Sequence, residues 1–237
     1  MNNELLNSIV LLIERNRISA TEVSDALSKQ GVLFGINALN HGKFVSGKVA
    51  YIYGHQNSNW PIHEQAQHVP EGSIVYVDMI DCTNNMAAFG DLVTKYLILY
   101  KRVKGIVVNG LMRDIPNLRK NSYPVWCTGT TPLGCYNREV DETENVKAIA
   151  EANRARFEGS ILTCDDSGCT LIGPELITAD TYKKLEYIEL QEDVWYYCID
   201  TLKWSTYETV CEKRYLSQTD VLPPVLKETV RSLNLEA

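Results

Sequence analysis

An α/β fold is what this sequence predicts, and three observations predict it. Residues 73–127 read strand, helix, strand, helix, strand, the order of a sheet with covering helices. Within that unit, Leu92, Tyr96, Leu99, Tyr100 and Val103 recur at helical spacing between two short apolar runs, 73–78 and 106–108. The composition, 45% apolar and 22% charged over 237 residues, suffices for a real core. That length fits one domain plus a peripheral extension. We expect an α/β domain over residues 1–180 and a C-terminal helical extension over 181–237, packed on the domain or on a neighbouring subunit.

Each element has its own signal. Residues 3–16 form an amphipathic helix: charged residues flank the apolar run 9–13 and no small-residue cleavage site follows, so it is no signal peptide. Ser19 and Glu22 make a capping box ahead of Val23, Ala26 and Leu27, and Gly31 closes that second helix. Residues 44–53 alternate as a strand. Pro61 opens a short helix to Ala66, residues 70–72 turn, and 73–78 are a strand. From Asp91 a helix runs to Val103, with Gly105 as its stop. Residues 106–108 are a short buried strand broken by Asn109-Gly110, and Pro116 sits in the first turn of the next helix. Residues 123–127 are another strand. Residues 142–156 read as a solvated helix, and 160–164 with 169–172 as a hairpin. A long helix is expected from about 191 to 215, with Val194, Cys198, Leu202 and Val210 facing inward. Pro223-Pro224 starts a final short helix.

Charge and composition exclude several classes. The net charge is −7, from 23 basic and 30 acidic residues, whereas a sequence-independent nucleic-acid binder needs a positive surplus. No stretch approaches 18 consecutive apolar residues, so no membrane span is expected and a cytoplasmic location is. Seven cysteines, scattered and odd in number, read as reduced thiols. Cys164 and Cys169 lack the second pair that a zinc site needs.

Three motifs are decoys. Residues 42–49 fall one residue short of a phosphate-binding loop, carry Val49 where a hydroxyl should bind magnesium, and enter a strand. His63 and His68 are five apart, off the single helix face of zinc peptidases. Asp165 and Asp166 sit in a hairpin turn, where acids are commonplace.

Residues 90–118 carry the information. Arg113 and Asp114 lie just past the carboxyl end of a strand and just before a helix, where ligands bind in α/β sheets and where anions find partial positive charge. Gly90 and Asp91 open the preceding helix, whose first N–H groups are free.

This stretch resembles the signature of the RraA-like family, which includes 4-hydroxy-4-methyl-2-oxoglutarate aldolases, oxaloacetate decarboxylases and the regulator of ribonuclease activity A. In that family a G-[DE]-L element precedes V-x-x-G-x-x-R-D, a strand of F-P-V-F type and a G-x-x-P-x-G loop. Here these are Gly90-Asp91-Leu92, Val107 to Asp114, Tyr123-Pro124-Val125-Trp126, and Gly129 to Gly134 with Pro132. The resemblance runs in order over residues 19–134. Three departures stand out. Twenty-one residues separate Asp91 from Arg113, one more than in the aldolases. Asn117 stands where they carry an acid, and residues 135–157 read helical where the family reads β.

The resemblance implies a swivelling β/β/α sandwich assembled as a homotrimer or a dimer of trimers, with sites between subunits. It implies a divalent-metal-dependent carbon–carbon lyase acting on a small 2-oxo acid through a pyruvate-type enolate. Asp114 would hold Mg²⁺ (or Mn²⁺), largely through waters. Arg113 would stabilise the enolate, Asp91 would activate a water for proton transfer, and Gly90 with the backbone of Leu92 and Val93 would receive the substrate carboxylate. The same fold also serves a protein-binding regulator without catalysis, or a lyase for a larger, sugar-like oxo acid. In the aldolases a C-terminal helix of the neighbouring subunit brings a glutamate to the site; Glu208 and Glu212, four apart, are the positional candidates here.

Overall fold

The computed structural model describes residues 3–234; residues 1, 2 and 235–237, the outer ends of the two expected segments, lie outside it. Eight strands form one connected sheet in the order β1 (Asn37–Ala38), β6 (Val125–Thr130), β5 (Gly105–Met112), β3 (Ile74–Ile80), β2 (Val45–His55), β7 (Ile161–Asp165), β8 (Gly168–Ile172). A short β4 (Ala87–Phe89) pairs with β5 alone. The central strands β6, β5, β3 and β2 are parallel. Parallel strands are covered on both faces, so β3 (IVYVDMI) is almost wholly buried and apolar rather than alternating.

β2 joins two layers. Its first residues, Val45 to Lys48, pair antiparallel with β7, and Val49 to His55 pair parallel with β3. The hairpin β7–β8 therefore folds over one face of the parallel strands, where Leu162, Cys164 and Leu171 meet Val107 and Trp126. Trp126 is fully buried, and its indole N–H donates to the Asp165 carbonyl (2.7 Å). Helix α6 (Glu144–Phe157) shares that face, with Phe157 stacked on Tyr76 at 3.8 Å between ring centroids. Helices α3 (Trp60–Ala66), α4 (Asp91–Lys95) and α5 (Ile115–Lys120) cover the opposite face through Ile62, Val93, Leu97 and Leu118. This is the expected mixed α/β sandwich.

Helices α1 (Asn3–Asn16), α2 (Ala20–Ala26) and the first half of α7 (Ala179–Asp200) pack outside the hairpin. The Ser19–Glu22 capping box opens α2 as expected. From Val194 onward, α7 packs instead with Tyr215, Leu222 and Val230 in a separate apolar cluster that includes α8 (Pro224–Asn234). The packing boundary thus falls inside α7. Among the described residues, no helix is long and apolar enough to cross a membrane.

Several expectations are corrected. The expected helix to Val103 is α4 continued by a π-helical turn, Tyr96–Tyr100, and it ends because Arg102 takes a positive φ of 54°. Asn109-Gly110 does not break β5. The β6 register shifts there instead, so the pair forms a bulge and the strand runs on to Met112. The long C-terminal helix starts at Ala179, where Thr178 caps the Thr181 N–H, and stops at Asp200 ahead of Lys203 at φ 58°. Glu208 and Glu212 are therefore not on it. Glu208 makes a capping box with Ser205, accepting its N–H (2.9 Å), and pairs with Arg214, which gives that carboxylate a local structural role.

The α2–α7 seam is acidic. Burial, then the charges of Glu22, Asp25 and Asp193, raises the Glu192 carboxyl above its usual value. Burial with Asp193, Glu22 and Glu186 does the same to Glu189, against Arg15. A carboxyl raised in the folded state binds its proton more tightly there than in the unfolded chain. Stability is then greatest below the unfolded value and is lost as pH rises through the folded one. We expect Glu192→Gln to raise the melting temperature by about 1–2 °C at pH 7 and not at pH 3.5. Thermal melts at the two pH values check this.

Candidate active site

Three chain segments meet at the carboxyl end of β5. The bulge at Asn109-Gly110 carries β5 away from β3, whose pairing ends at Asn109, and β4 takes over as the neighbour of Leu111 and Met112. The Arg113 N–H continues that ladder to the Phe89 carbonyl (3.1 Å). Arg113 and Asp114 therefore emerge beside Gly90 and Asp91, at the turn from β4 into α4. A third segment runs alongside: Cys135 N–H donates to the Ala87 carbonyl (3.0 Å), and Ala87 N–H to Leu133 (2.7 Å).

Asp114 adopts the left-handed region, φ 59° and ψ 33°, at the residue before α5. Aspartate is among the few residues that tolerate it. Its side chain does not cap its own helix; instead Oδ2 accepts the Asp91 N–H from α4 (3.2 Å). Arg113 Nε lies 3.8 Å from the same oxygen. The side chains are 40% and 45% exposed for Arg113 and Asp114, so the pair faces solvent and is no core ion pair. Asp91 Oδ2 accepts the Asn117 amide (3.4 Å). Two buried polar atoms here have no hydrogen-bond partner: Asp91 Oδ1, an acceptor, and Arg113 Nε, a donor. Such atoms are costly in a native fold and ask for an explanation.

Two glycines clear the space. A Cβ on Gly90 would lie 2.1 Å from Asp114 Oδ2, and one on Gly134 would lie 2.1 Å from Arg113 Nη1. The hydroxyl of buried Thr94 anchors the turn, donating to the Gly90 carbonyl (2.9 Å). Leu92 and Val93 supply first-turn N–H groups, which have no carbonyl one turn earlier in the helix. Next to Gly134, burial pushes the Cys135 thiol up to about 11 despite the opposing Arg113 charge, so it is a thiol and not a nucleophile at neutral pH.

The structure thus brings together Gly90, Asp91, Leu92, Val93, Arg113 and Asp114. It adds Gly134, which entered the sequence reading as part of a loop motif only. The decoys are accounted for structurally. The Gly42 N–H is taken by the Asp166 carboxylate (2.9 Å), and Asp165 accepts the Ala20 N–H (2.7 Å). Cys164 and Cys169 face each other across the hairpin as buried free thiols.

A family model described as RraA-like, Aldolase/RraA, matches residues 20–171. Protein DlpA of Legionella pneumophila is 29% identical over 174 residues, which cover 70% of this chain and 27% of that protein. A Bacillus anthracis protein provisionally named 4-hydroxy-4-methyl-2-oxoglutarate aldolase is 30% identical over 117 residues, 49% of this chain and 66% of that one. The chain thus spans about a quarter of the Legionella protein and under two thirds of the Bacillus one. Streptomyces coelicolor RraAS2, described as an unusual member of the RNase ES inhibitor RraA protein family, shares the fold. Its TM-score is 0.58 and its identity 21%, over 82% of this chain and 96% of that one. The family match spans well over half of the sequence, from α2 through the strands that carry Arg113 and Asp114 to the β7–β8 hairpin, and this chain belongs to the RraA-like family.

Proposed function

We propose that the chain is a divalent-metal-dependent carbon–carbon lyase, an aldolase or decarboxylase that acts on a 2-oxo acid. The observation that carries this reading is the convergence of one guanidinium and two carboxylates on a glycine-cleared strand end, with Asp91 Oδ1 and Arg113 Nε left unpaired. Among the described residues no group of three His, Cys, Asp or Glu forms a metal cluster. An oxygen-only set built on Asp114 suits Mg²⁺ or Mn²⁺, which keep several waters and bind through one or two carboxylates plus substrate. When bound, the ion supplies Lewis-acid polarisation of the substrate oxygens.

The chain's own residues do the rest. First-turn N–H groups of Leu92 and Val93 receive the substrate carboxylate beside Gly90. Arg113 places its guanidinium where the 2-oxo oxygen gains negative charge, and a donor aimed there is strongest in the transition state. Asp91, oriented by the Asn117 amide, activates a water for proton transfer. One enolate serves both retro-aldol cleavage and decarboxylation.

Pyruvate release from oxaloacetate, measured with Mg²⁺ before and after chelation, tests this. Release that stops on chelation and returns with Mg²⁺ is expected; absence of release under every metal tried overturns it. The second reading, a protein-binding regulator without catalysis, is favoured by Asn117, whose neutral amide leaves the site one acid short of the aldolase pattern. It becomes the better account if no turnover is found.

We also propose a trimer, or a dimer of trimers, as the working assembly. Supporting it is an apolar stripe beside the site: Leu92 is 81% exposed and Tyr100 70%, with Tyr96 and Leu99 between them. Stripes of this kind on soluble proteins mark interfaces. Light scattering at micromolar concentration is expected to give a trimeric mass or its double, and a monomer contradicts it.

A further inference from the structure

Beside the Arg113–Asp114 site lies a cavity of about 430 Å³ lined by Trp60, His63, Glu64, Gln67 and Asn137. Its place follows from the chain. Asn137 is three residues past Gly134, which abuts Arg113, and three residues span at most about 11 Å. The Tyr136 carbonyl accepts the N–H of Asn59, the residue before Trp60 (3.1 Å). The Asn59 amide in turn donates to the Ala88 carbonyl (3.0 Å), two residues before Gly90. Hydrogen bonds thus tie the cavity walls to two of the segments that build the site. Another cavity, of about 240 Å³, runs along the open edge of β2 and not at its carboxyl end.

The lining has a definite chemistry. Trp60 is 45% exposed and offers an indole face. Burial lowers the His63 imidazole, so it is neutral at pH 7, a donor at one nitrogen and an acceptor at the other. Gln67 and Asn137 add amides, and Glu64 an acceptor. No lysine or arginine is among the lining residues. The cations nearby are engaged elsewhere, Lys101 on the Gln67 carbonyl (2.8 Å) and Arg138 over the Tyr136 ring (4.8 Å). A carboxylate entering this cavity would meet Glu64 and find no cation. A hydroxylated carbon chain would lay its C–H face on the indole and satisfy the amides and the imidazole with its hydroxyls.

We propose that this cavity receives the distal end of a hydroxylated, sugar-acid-type 2-oxo acid, so that the substrate carries hydroxyls, not a second carboxylate, beyond C4. The assignment rests on the lyase reading and names its substrate class. In the reaction the C4 hydroxyl gives its proton, through water, to Asp91, and C4 becomes an aldehyde carbonyl. The C3–C4 bond breaks with its electron pair moving to C3, giving the enolate of pyruvate against Arg113. C3 then takes a proton back, so pyruvate and a hydroxylated aldehyde leave with no oxidant or reductant consumed.

The test compares two acids that share the reacting carbons and differ beyond C4, 2-keto-3-deoxygluconate and 4-hydroxy-2-oxoglutarate. Pyruvate release by the full chain with Mg²⁺ is followed for both, and for oxaloacetate. The expected result is a kcat/KM at least tenfold higher for the hydroxylated acid. Trp60→Ala and, separately, Asn137→Ala are expected to raise its KM several-fold. A readout independent of turnover is the Trp60 indole N–H resonance, assigned by its loss in Trp60→Ala. It is expected to shift on adding 2-keto-3-deoxygluconate and not on adding oxalate, which mimics the enolate alone. Equal or better cleavage of the dicarboxylate, or an unmoved Trp60 resonance, overturns this inference and leaves the lyase standing. No pyruvate from any of the three acids overturns the lyase reading and this proposal with it.

Discussion

Asp114→Asn is expected to remove metal-dependent turnover while leaving the melting temperature within about 2 °C of the unchanged protein. Asparagine tolerates the left-handed backbone that Asp114 adopts at φ 59°, and its carbonyl can still accept the Asp91 N–H. What it lacks is the negative charge that a hard divalent cation requires. The Asp114 side chain is 45% exposed, and its contact with Arg113 is a solvent-screened pair 3.8 Å long, so little folding stability rests on it. Alanine would be a poorer probe, because it adds a left-handed backbone penalty of about 1 kcal/mol. Losing an outer partner of a metal ligand already costs 10- to 100-fold, so losing the ligand is expected to cost at least about a hundredfold. The measurement is kcat/KM for oxaloacetate across a Mg²⁺ titration, with calorimetry on the same sample. Undiminished activity in Asp114→Asn would take the metal away from this residue.

What could be read in advance was local. The Ser19–Glu22 box, the β7–β8 hairpin and the Pro116 start of α5 each rest on residues within a few positions of one another, and each is present. The features missed depend on distant neighbours. Asn109-Gly110 is a turn signal by itself, yet β4 and β6 flank β5 beyond it and turn the pair into a bulge. β4 is three residues long, too short to show a period. The start of α7 was legible in the Thr178–Thr181 cap and was passed over because the apolar spacing further along is more prominent. The site divides in the same way. Asp91, Arg113 and Asp114 stand together in motifs, whereas the approach of Gly134 to Arg113 spans 21 positions and has no sequence signature. Trp60 and Asn137, 77 positions apart, come together only through the bond from Asn59 to Tyr136.

Gly90→Ala is expected to lower kcat by about a hundredfold with the fold retained, although it alters no charge and no ligand. Backbone strain is not the reason, since Gly90 has φ −141°, which other residues can adopt. Space is the reason. The added Cβ would stand 2.1 Å from Asp114 Oδ2, 2.8 Å from its Cγ and 2.9 Å from Arg113 Cγ, all well inside van der Waals contact. Asp114 is short, and its Oδ2 is held by the Asp91 N–H, so it cannot swing clear without giving up that bond. A displacement of about 1 Å at a reacting group is enough for a loss on the order of a hundredfold. Gly134→Ala makes a useful contrast. Its Cβ meets Arg113 at Nη1, the far end of a flexible side chain, so a smaller loss is expected there. If Gly90 acts by keeping Asp114 in place, the two substitutions are not additive, because residues acting as one unit share their cost. The double variant Gly90→Ala/Asp114→Asn should then be no slower than Asp114→Asn alone. Losses that multiply would mean that Gly90 serves some other part of the site, such as the carboxylate-receiving N–H groups of Leu92 and Val93.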